Sequence, residues 1–256
     1  MDLLEARMRQ LFEVKHVSID QMEWNPRLRH QFGHFTPDDH YEAVVEGLIG
    51  SNTEWLDVGG GSAIFPSNPK LARILADRCK RLVAVDPSAN VNENPFVHEC
   101  YQRFLEEFED SRQFTLATAR MVVEHVTHPE QFVAKLGQLV KPGGKAVVYT
   151  VNRWAPMTVL SHCTPIAVHH FAKKVLWSVD EKDTFPVAYL MNTRSRLNDL
   201  FTAAGFREIR FHRLDDCRTL AKWKATLTLE LMIWKALRFV GIGYPESCLL
   251  GVYERS

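Results

Sequence analysis

The sequence predicts an α/β fold with a doubly wound, mostly parallel sheet. Short apolar segments such as EWLDV (54–58) and RLVAVD (81–86) alternate with amphipathic segments that have the spacing of helices. Apolar strands separated by helices of about 10 to 15 residues are typical of parallel sheets that helices cover on both faces. The 256 residues, of which 46% are hydrophobic, are enough for one large domain with a sizeable core.

The first half of the chain supplies helices and then the first strands. LLEARMRQLF spaces its apolar residues as a helix does. Thr36-Pro37-Asp38-Asp39 is a helix start, which predicts a helix over HYEAVVEGLIG with a glycine at its end. The elements predicted after it are the strand EWLDV, a glycine loop, the helix NPKLARILADRC, the strand RLVAVD and a short strand around FVHEC.

The second half continues this alternation and contains two long insertions. After the segment QRFLEEF it predicts the strand FTLATAR, the helix PEQFVAKLGQLV, a Pro-Gly-Gly turn, the strand KAVVYTV, the helix TRSRLNDLFTAAG and the strands FREIRFHRL and SCLLGVYER. One insertion, residues 153–192, is rich in aromatic residues and histidine, and the other, residues 218–240, reads as a long amphipathic helix. Long insertions in compact domains are usually lids or binding elements.

The composition of the chain limits which partners it is expected to bind and where in the cell it is expected to work. Basic and acidic residues balance at 31 each, so the chain has no overall field for nucleic acid or an anionic membrane, although local patches stay open. The five cysteines are scattered without a CxxC pair, which argues against a zinc site and against a disulfide scaffold. Residues 1–20 do not resemble a signal peptide, and no run of 18 apolar residues is present. We therefore expect a cytoplasmic protein without a transmembrane segment.

The loop WLDVGGGSAI places Asp57 just before three consecutive glycines, at the end of a predicted strand. Ligands of doubly wound sheets bind at the carboxyl ends of strands, and glycines let the backbone approach a ligand closely. A phosphate-binding loop would need a Gly-Lys-Ser/Thr ending, and the dinucleotide pattern GxGxxG fails because Ile64 stands at its sixth position. The carboxylate instead predicts a ligand that carries a positive group or hydroxyls and no pyrophosphate.

Four segments in order resemble the motifs of class I S-adenosylmethionine (SAM)-dependent methyltransferases of the small-molecule type, and a fifth is similar to a turn of the same family. The segment from Asp57 to Ala63 resembles their first motif, acid-x-Gly-x-Gly-x-Gly, with Ala63 in place of the last glycine. LVAVDPS ends a strand in Asp86, where the family binds the ribose hydroxyls. FTLATARMVVEHVTHPEQF and LVKPGGKAVVYTVN resemble the motifs at strands four and five, and LFTAAGF is similar to the turn into strand six. The resemblance covers residues 55–150 well, and 195–212 and 248–255 moderately.

The resemblance implies a Rossmann-like methyltransferase fold. Its sheet would have seven strands, mostly parallel, with the last strand reversed. We expect a single domain over 1–256, with an N-terminal helical cap (1–50), a SAM-binding core (51–152), a substrate lid after strand five (153–192), and the C-terminal part of the sheet (193–256) with its inserted helix 218–240.

The same resemblance implies the residues that hold the cofactor, SAM, or its product S-adenosylhomocysteine. Asp86 would bind the ribose, Arg120 and Met121 would flank the cofactor, and Gln102 would contact the adenine, with Tyr101 as a competitor. The alternatives are a loop-bracing role for Asp57, a turn aspartate at Asp86 and a plain surface residue at Gln102. The predicted cofactor-binding residues are Asp57, Gly59, Gly60, Gly61, Ser62, Asp86, Pro87, Gln102, Arg120 and Met121.

The methyl acceptor is expected to bind under the lid. His162, His169 and Tyr189 are the catalytic candidates, because histidine takes up a proton near neutral pH and a tyrosine hydroxyl can point into a pocket. Each of them has a structural alternative as a packed core residue. An apolar wall for a small organic substrate would come from Trp154, Phe171, Trp177 and Phe185, with the core of the lid as their alternative role. The N-terminal segment is expected to cover the cofactor from the other side, with His34, Phe35 and Tyr41 as the candidates for contact.

The predicted reaction is an in-line displacement that moves the methyl group of SAM to an oxygen, nitrogen or carbon of a small metabolite. Oxygen is the first choice, with acceptors from secondary metabolism or from quinone-like and lipid pathways. The alternatives are a SAM-binding regulator or partner subunit without turnover, and a nucleotide-dependent oxidoreductase. Nucleic-acid methylation would call for a base-amine motif where the chain has ARMVVEH. No metal is expected, because Pro129 interrupts the metal-like spacing of HVTHPE.

The 218–240 segment has several interpretations. Apolar residues at 227, 231, 234 and 237 accompany a set of lysines and arginines. Such a helix can pack on the domain with its charged face solvated, lie on a membrane surface as a peripheral contact, build a wall of the substrate site, or form a dimer contact.

Overall fold

The computed structural model describes residues 3–16, 22–156, 158–159 and 185–256. The strands are β1 (Glu54–Val58), β2 (Arg81–Asp86), β3 (Glu99–Gln102), β4 (Phe114–Arg120), β5 (Val140–Val151), β6 (Phe206–Asp215) and β7 (Glu246–Arg255). The helices are α1 (Leu3–His16), α2 (Trp24–Phe32), α3 (Pro37–Glu46), α4 (Pro69–Arg78), α5 (Pro129–Leu139), α6 (Arg194–Ala203) and α7 (Lys224–Phe239), and two 3-10 turns span Ala89–Glu93 and Leu105–Glu107.

The seven strands form one sheet in the order β3-β2-β1-β4-β5-β7-β6. Strands β1 to β5 pair in parallel, whereas β7 is antiparallel to both β5 and β6. The predicted seven-stranded sheet with a reversed last strand is thereby confirmed. The chain runs outward from β1 to β3 and then returns to place β4 on the other side of β1, so the crevice between the carboxyl ends of β1 and β4 is the switch point where ligands bind.

Two apolar layers hold helices against the sheet because neighbouring side chains of a strand point to opposite faces. Trp55 packs with residues of α3 and α4, including Tyr41 and Leu75. Leu56 packs on the other face with residues of α5 and α6, including Phe132. This arrangement explains why β1 and β2 read as apolar runs: both of their faces are covered.

Three element boundaries differ from the prediction. The segment QRFLEEF contains the 3-10 turn Leu105–Glu107, and β3 spans Glu99–Gln102, so it begins later than the predicted strand around FVHEC and overlaps its last two residues. Helix α7 begins at Lys224 and not at residue 218, because the backbone amide of Leu220 donates to the side chain of Glu230 and the chain enters the helix only after Trp223. The Pro-Gly-Gly turn lies at the start of β5, where the pairing with β4 jumps from Phe114↔Val140 to Leu116↔Lys145.

Helix α3 connects the N-terminal part of the chain to the sheet. Thr36 caps it as predicted: its hydroxyl accepts from the amide of Asp39 at 3.2 Å, and the Asp39 carboxylate accepts from the amide of Thr36 at 2.8 Å. This reciprocal capping box satisfies two backbone donors that would otherwise lack partners.

Replacing Thr36 with alanine should lower the free energy of unfolding by about 1–2 kcal/mol, because the cap is buried and one helix amide loses its acceptor. Urea unfolding followed by circular dichroism measures the loss. Thr36→Ser keeps the hydroxyl and serves as the matched control. An equal loss in both variants would show that the methyl group, and not the cap, is what matters.

None of the described helices is both long enough and apolar enough to span a membrane.

Candidate active site

A cavity of about 320 Å³ opens at the carboxyl ends of β1, β2 and β4. Such a volume lies at the lower end of the range for small-molecule sites, about 300–1,000 Å³. Its lining combines the glycine loop, the end of β2, the turn after β3 and the segment after β4. The lining residues are Val58, Gly59, Gly61, Val85, Asp86, Pro87, Ser88, Asn90, Phe104, Leu105, Glu106, Met121, Val122, His125, Val126, Thr127, Phe132 and Phe185.

Two glycines of the loop are required by close packing. Gly59 has φ +69°, and a Cβ there would lie 2.2 Å from a methyl carbon of Val122. Gly60 has no unusual φ, but a Cβ there would lie 2.5 Å from Oδ2 of Asp57. The first glycine therefore lets the loop pass the segment after β4, and the second lets it close over a buried carboxylate.

Asp86 lies at the end of β2 and lines the cavity. Its Oδ2 accepts from the amide of Gly61 at 2.9 Å, and its Oδ1 accepts from the amide of Ser88 at 2.7 Å. These two bonds fix the carboxylate at the wall of the cavity. An ionised carboxylate has about four acceptor positions, so both oxygens retain capacity for hydroxyl donors of a ligand.

Asp57 lies beneath the loop and not in the cavity lining. It is buried, and its Oδ1 accepts from the hydroxyl of Thr118 at 2.6 Å. Burial raises the pKa of Asp57 to about 7, against the lowering effects of Thr118 and of the Arg120 cation. In this geometry the carboxylate braces the loop through its contact with Gly60; a role toward the cofactor stays a prediction.

This pKa makes stability depend on pH. The folded state holds the Asp57 proton up to about pH 7, whereas the unfolded chain releases it near the ordinary value of 3.8. The contribution of Asp57 to stability is therefore fully present below the unfolded pKa and is lost as pH rises through the folded one.

We expect the decrease in unfolding free energy between pH 5 and pH 8 to be about 2–3 kcal/mol smaller in Asp57→Asn than in the unchanged protein. Denaturant unfolding at both pH values measures it, and every other titrating group contributes equally to both proteins. Parallel pH profiles of the two proteins would contradict the assignment.

Arg120, predicted to flank the cofactor, is turned toward the N-terminal helices. Its guanidinium lies 2.9 Å from Oδ1 of Asp38 at the start of α3, and Arg218 reaches the other oxygen of Asp38 at 3.4 Å. Arg218 also pairs with Asp216. Arg120 thus joins α3 and the end of β6 to the carboxyl end of β4, and it is not among the residues that line the cavity.

The other predicted cofactor residues divide into two groups. Pro87 and Met121 line the cavity, together with Gly59, Gly61 and Asp86. Ser62 and Gln102 are exposed and lie outside the lining, and the side chain of Gln102 accepts from Asn92 at 3.4 Å. Gly60 lies under the loop, where it contacts Asp57.

Phe104 and Leu105 line the cavity where an adenine contact was predicted for Gln102. No residue pattern within QRFLEEF indicates this position for them. The parallel pairing of β3 with β2 sets Gln102 beside Asp86 in the sheet, and the 3-10 turn then brings the next apolar residues over the cavity. An apolar wall of this kind suits a flat heteroaromatic ring.

Backbone strain marks the same edge of the sheet. Met121 (φ 52°) and Tyr189 (φ 50°) are the non-glycine residues with positive φ in the part of the chain that the structure describes. Met121 directly follows β4 and donates its amide to Tyr149, and Tyr189 donates its amide to the carbonyl of Glu124. Unfavourable backbone conformations of this kind concentrate at functional sites.

The returning end of the predicted lid is anchored on the segment after β4. The carbonyl of Glu124 accepts from the amides of Ala188 and Tyr189, and the Nδ1 of His125 lies 3.1 Å from the carbonyl of Pro186. Phe185 reaches the cavity. His162 and His169, like Phe171 and Trp177, lie outside the described residues, so their catalytic or packing roles stay predictions.

Burial and the neighbouring Glu124 raise the pKa of the half-buried Tyr189 phenol. The phenol therefore keeps its proton at neutral pH, so it is not suited to act as a base there. Glu124 is buried, accepts from the hydroxyl of Thr150 at 2.8 Å, and has its pKa raised by burial. Glu124 is not among the catalytic candidates predicted from the sequence, and a carboxylate with a raised pKa can act as a general base.

The N-terminal residues predicted to touch the ligand take other positions. Tyr41 is buried and stacks on Tyr149 with 5.2 Å between ring centroids. The Nε2 of His34 lies 3.2 Å from Asp215, whose other oxygen accepts from the indole of Trp234. His34, Asp215 and Cys217 bring ligand-type atoms within 4.8 Å of one another, and each carboxylate oxygen of Asp215 already has one partner within the protein.

Comparisons with known sequences show the family of the chain. A family described as "Methyltransferase domain" matches residues 18–210. The ubiquinone biosynthesis O-methyltransferase of Rickettsia canadensis is 29% identical over 118 residues, which cover 43% of this chain and 48% of that protein. The mitochondrial protein of the same name from Dictyostelium discoideum is 32% identical over 75 residues, which cover 25% of this chain and 22% of that protein. This chain thus spans half or less of the length of these relatives.

Solved structures agree with the fold. The N-methyltransferase NodS of Bradyrhizobium japonicum matches with a TM-score of 0.50 at 12% identity, over 86% of this chain and 96% of that one. The cyclopropane synthase MmaA2 of Mycobacterium tuberculosis matches with a TM-score of 0.50 at 14% identity, over 95% of this chain and 98% of that one. The family match covers most of the residues that build the cavity, and the chain therefore belongs to the methyltransferase-domain family, whose methyl donor is S-adenosylmethionine.

Proposed function

We propose that this protein transfers the methyl group of SAM to an oxygen of a small, partly apolar organic acceptor. The observation that carries the proposal is Asp86, a carboxylate fixed by two backbone amides at the wall of an otherwise largely apolar cavity. Fixed carboxylate oxygens beside an apolar surface match the hydroxyls of a ribose beside an adenine ring.

The cavity supports one orientation of the cofactor. Asp86 would hold the ribose, while Phe104 and Leu105 on one side and Phe132 on the other would enclose the adenine. Gly59 and Met121 would then adjoin the methionine part, at the carboxyl ends of β1 and β4. Bound SAM supplies a sulfonium methyl group, and the protein's part is to orient it and to exclude water.

The acceptor would bind between the segment after β4 and the returning end of the lid. Phe185 gives this region an apolar surface, Tyr189 offers a hydrogen-bond donor, and Glu124 offers a buried carboxylate. A hydroxyl acceptor gains most from this set, because its oxygen can accept from a phenol while its proton leaves toward a base. The relatives named O-methyltransferases support the same choice of atom.

Two measurements test the proposal in order. Calorimetric titration with S-adenosylhomocysteine should show saturable binding, and labelled SAM should then transfer its methyl group to a phenolic or catecholic acceptor more readily than to a matched amine or carboxylate. Transfer only to the amine would overturn the choice of oxygen. Binding without transfer to any acceptor class would favour a protein that senses SAM without turnover, and absence of binding would overturn the assignment of the cavity.

A further inference from the structure

Helix α7 has apolar residues on two opposite faces. Leu227, Leu231 and Trp234 are buried against the domain, where they pack with Leu28 of α2. The opposite face is exposed: 56% of Met232, 55% of Leu229 and 91% of Phe239 are accessible. This outer face of α7 consists of Ala225, Leu229, Met232, Ile233, Ala236 and Phe239, and it continues into Val240 and Ile242.

The spacing of the outer face is that of a helical stripe. Positions 225, 229, 232, 233 and 236 follow one another at three- and four-residue intervals, so they share one side of the helix. A helix that packs on a domain normally carries polar residues on the side that faces solvent. Contiguous exposed apolar surface of this kind indicates an interaction site.

The charges around the outer face have one sign. Lys224 and Lys235 lie along one border of it, Lys222 precedes the helix, and Arg238 lies further round the helix over the ring of Trp234. Glu230 is the one acidic residue of α7, and it is buried, where it accepts from the amide of Leu220 and the hydroxyl of Tyr244. An apolar stripe bordered by cations, with no exposed acidic residue on the helix, complements a surface that has anionic groups outside and apolar chains beneath. A second copy of this face would instead bring cations against cations.

Helix α7 is fixed to the edge of the sheet that carries the candidate site. The indole of Trp234 donates to Asp215 at the carboxyl end of β6, and just before the helix Arg218 contacts Asp38, which pairs with Arg120. β6 runs parallel to β4 and β5, so these carboxyl ends lie along one edge. A surface bound by the outer face would therefore lie next to this edge.

We propose that the outer face of α7 binds an anionic membrane surface. The helix lies in the interface with Leu229, Met232, Ile233 and Phe239 among the lipid chains, and the flanking cations contact the headgroups. The proposal does not depend on the identity of the methyl acceptor, and its test does not use enzymatic activity.

Sedimentation with vesicles tests it. The protein should bind vesicles of phosphatidylcholine and phosphatidylglycerol, bind phosphatidylcholine alone much less, and lose affinity as salt is added. Met232→Gln with Ile233→Gln should weaken binding to anionic vesicles by about tenfold or more, because two apolar side chains no longer enter the lipid. Lys224→Gln with Lys235→Gln should remove the preference for anionic vesicles.

The matched control is Ile74→Gln with Ile209→Gln, which makes the same kind of change at two exposed apolar residues on other elements. It should bind vesicles as the unchanged protein does, and thermal unfolding midpoints should show that all variants are folded. No vesicle binding by the unchanged protein, or equal binding by the outer-face variant, would overturn the proposal. A concentration-dependent dimer that the outer-face variant abolishes, without vesicle binding, would assign the face to a second copy instead.

Discussion

Asp86→Ala is expected to weaken the binding of S-adenosylhomocysteine by roughly 1.5–3 kcal/mol, which corresponds to about 10- to 100-fold in the dissociation constant. The variant removes both carboxylate oxygens that would accept from ribose hydroxyls. It also leaves the amides of Gly61 and Ser88 without the acceptor that now orders the loop. Both effects lower the affinity for S-adenosylhomocysteine, so calorimetry measures their sum.

Two controls separate the ligand contact from general effects. Asp77→Ala removes a carboxylate from the exposed face of α4 and should leave the affinity unchanged. Asp86→Asn keeps one acceptor oxygen and an amide group, so it should lose less affinity than Asp86→Ala. Unchanged affinity in Asp86→Ala would exclude this carboxylate from the cofactor site.

The features that could be predicted from the sequence depend on residues that are neighbours in the chain. Strands β1, β2 and β4 appear as apolar runs because the fold buries both of their faces, and the Thr36 cap is encoded within four consecutive residues. Asp86 was identifiable because it ends such a run and is followed by a turn residue. In each case the deciding residues are neighbours in the chain.

The features that could not be predicted depend on contacts between distant segments. Gly60 is required because of Asp57 and Ala84 beneath it, and Arg120 leaves the cavity because Asp38, 82 residues away, attracts its guanidinium. Gln102 has the right place along the strand, but its side chain meets Asn92 on the surface. A motif predicts the position of a residue along the chain. The orientation of its side chain depends on the charged groups and the free space around it in the folded structure.

Proteins with this fold catalyse several different reactions, so the fold alone does not determine the reaction. Solved structures of this architecture include an N-methyltransferase, a cyclopropane synthase and the [4+2]-cyclase SpnF, the last with a TM-score of 0.52 at 12% identity over 84% of this chain and 80% of that one. The reaction must therefore be argued from the residues around the acceptor. We propose Tyr189, Glu124 and Phe185 for that role, and the acceptor assay tests the proposal more directly than any comparison of folds does.

Gly60→Ala is expected to be the most damaging single-methyl change in the glycine loop that acts by steric contact alone. Its Cβ would lie 2.5 Å from Oδ2 of Asp57 and 3.4 Å from the Cβ of Ala84, and the backbone φ is one that alanine accepts. Overpacking of this kind costs about 1–3 kcal/mol of stability. The loop must rise into the cavity to relieve it, so the affinity for S-adenosylhomocysteine should fall by about tenfold or more.

The contact with Asp57 can be isolated by a double-mutant cycle. Gly50→Ala is the matched control, because no atom lies within 4 Å of its new Cβ and its φ is ordinary, so its stability should change by less than about 1 kcal/mol. In an Asp57→Ala background the methyl group that Gly60→Ala adds has room. Gly60→Ala should then lower the free energy of unfolding by less than it does in the unchanged protein. Strictly additive costs would place the clash elsewhere. A smaller cost of Gly60→Ala in the Asp57→Ala background would show that the buried carboxylate sets the height of the loop, which would explain why an aspartate precedes the three glycines.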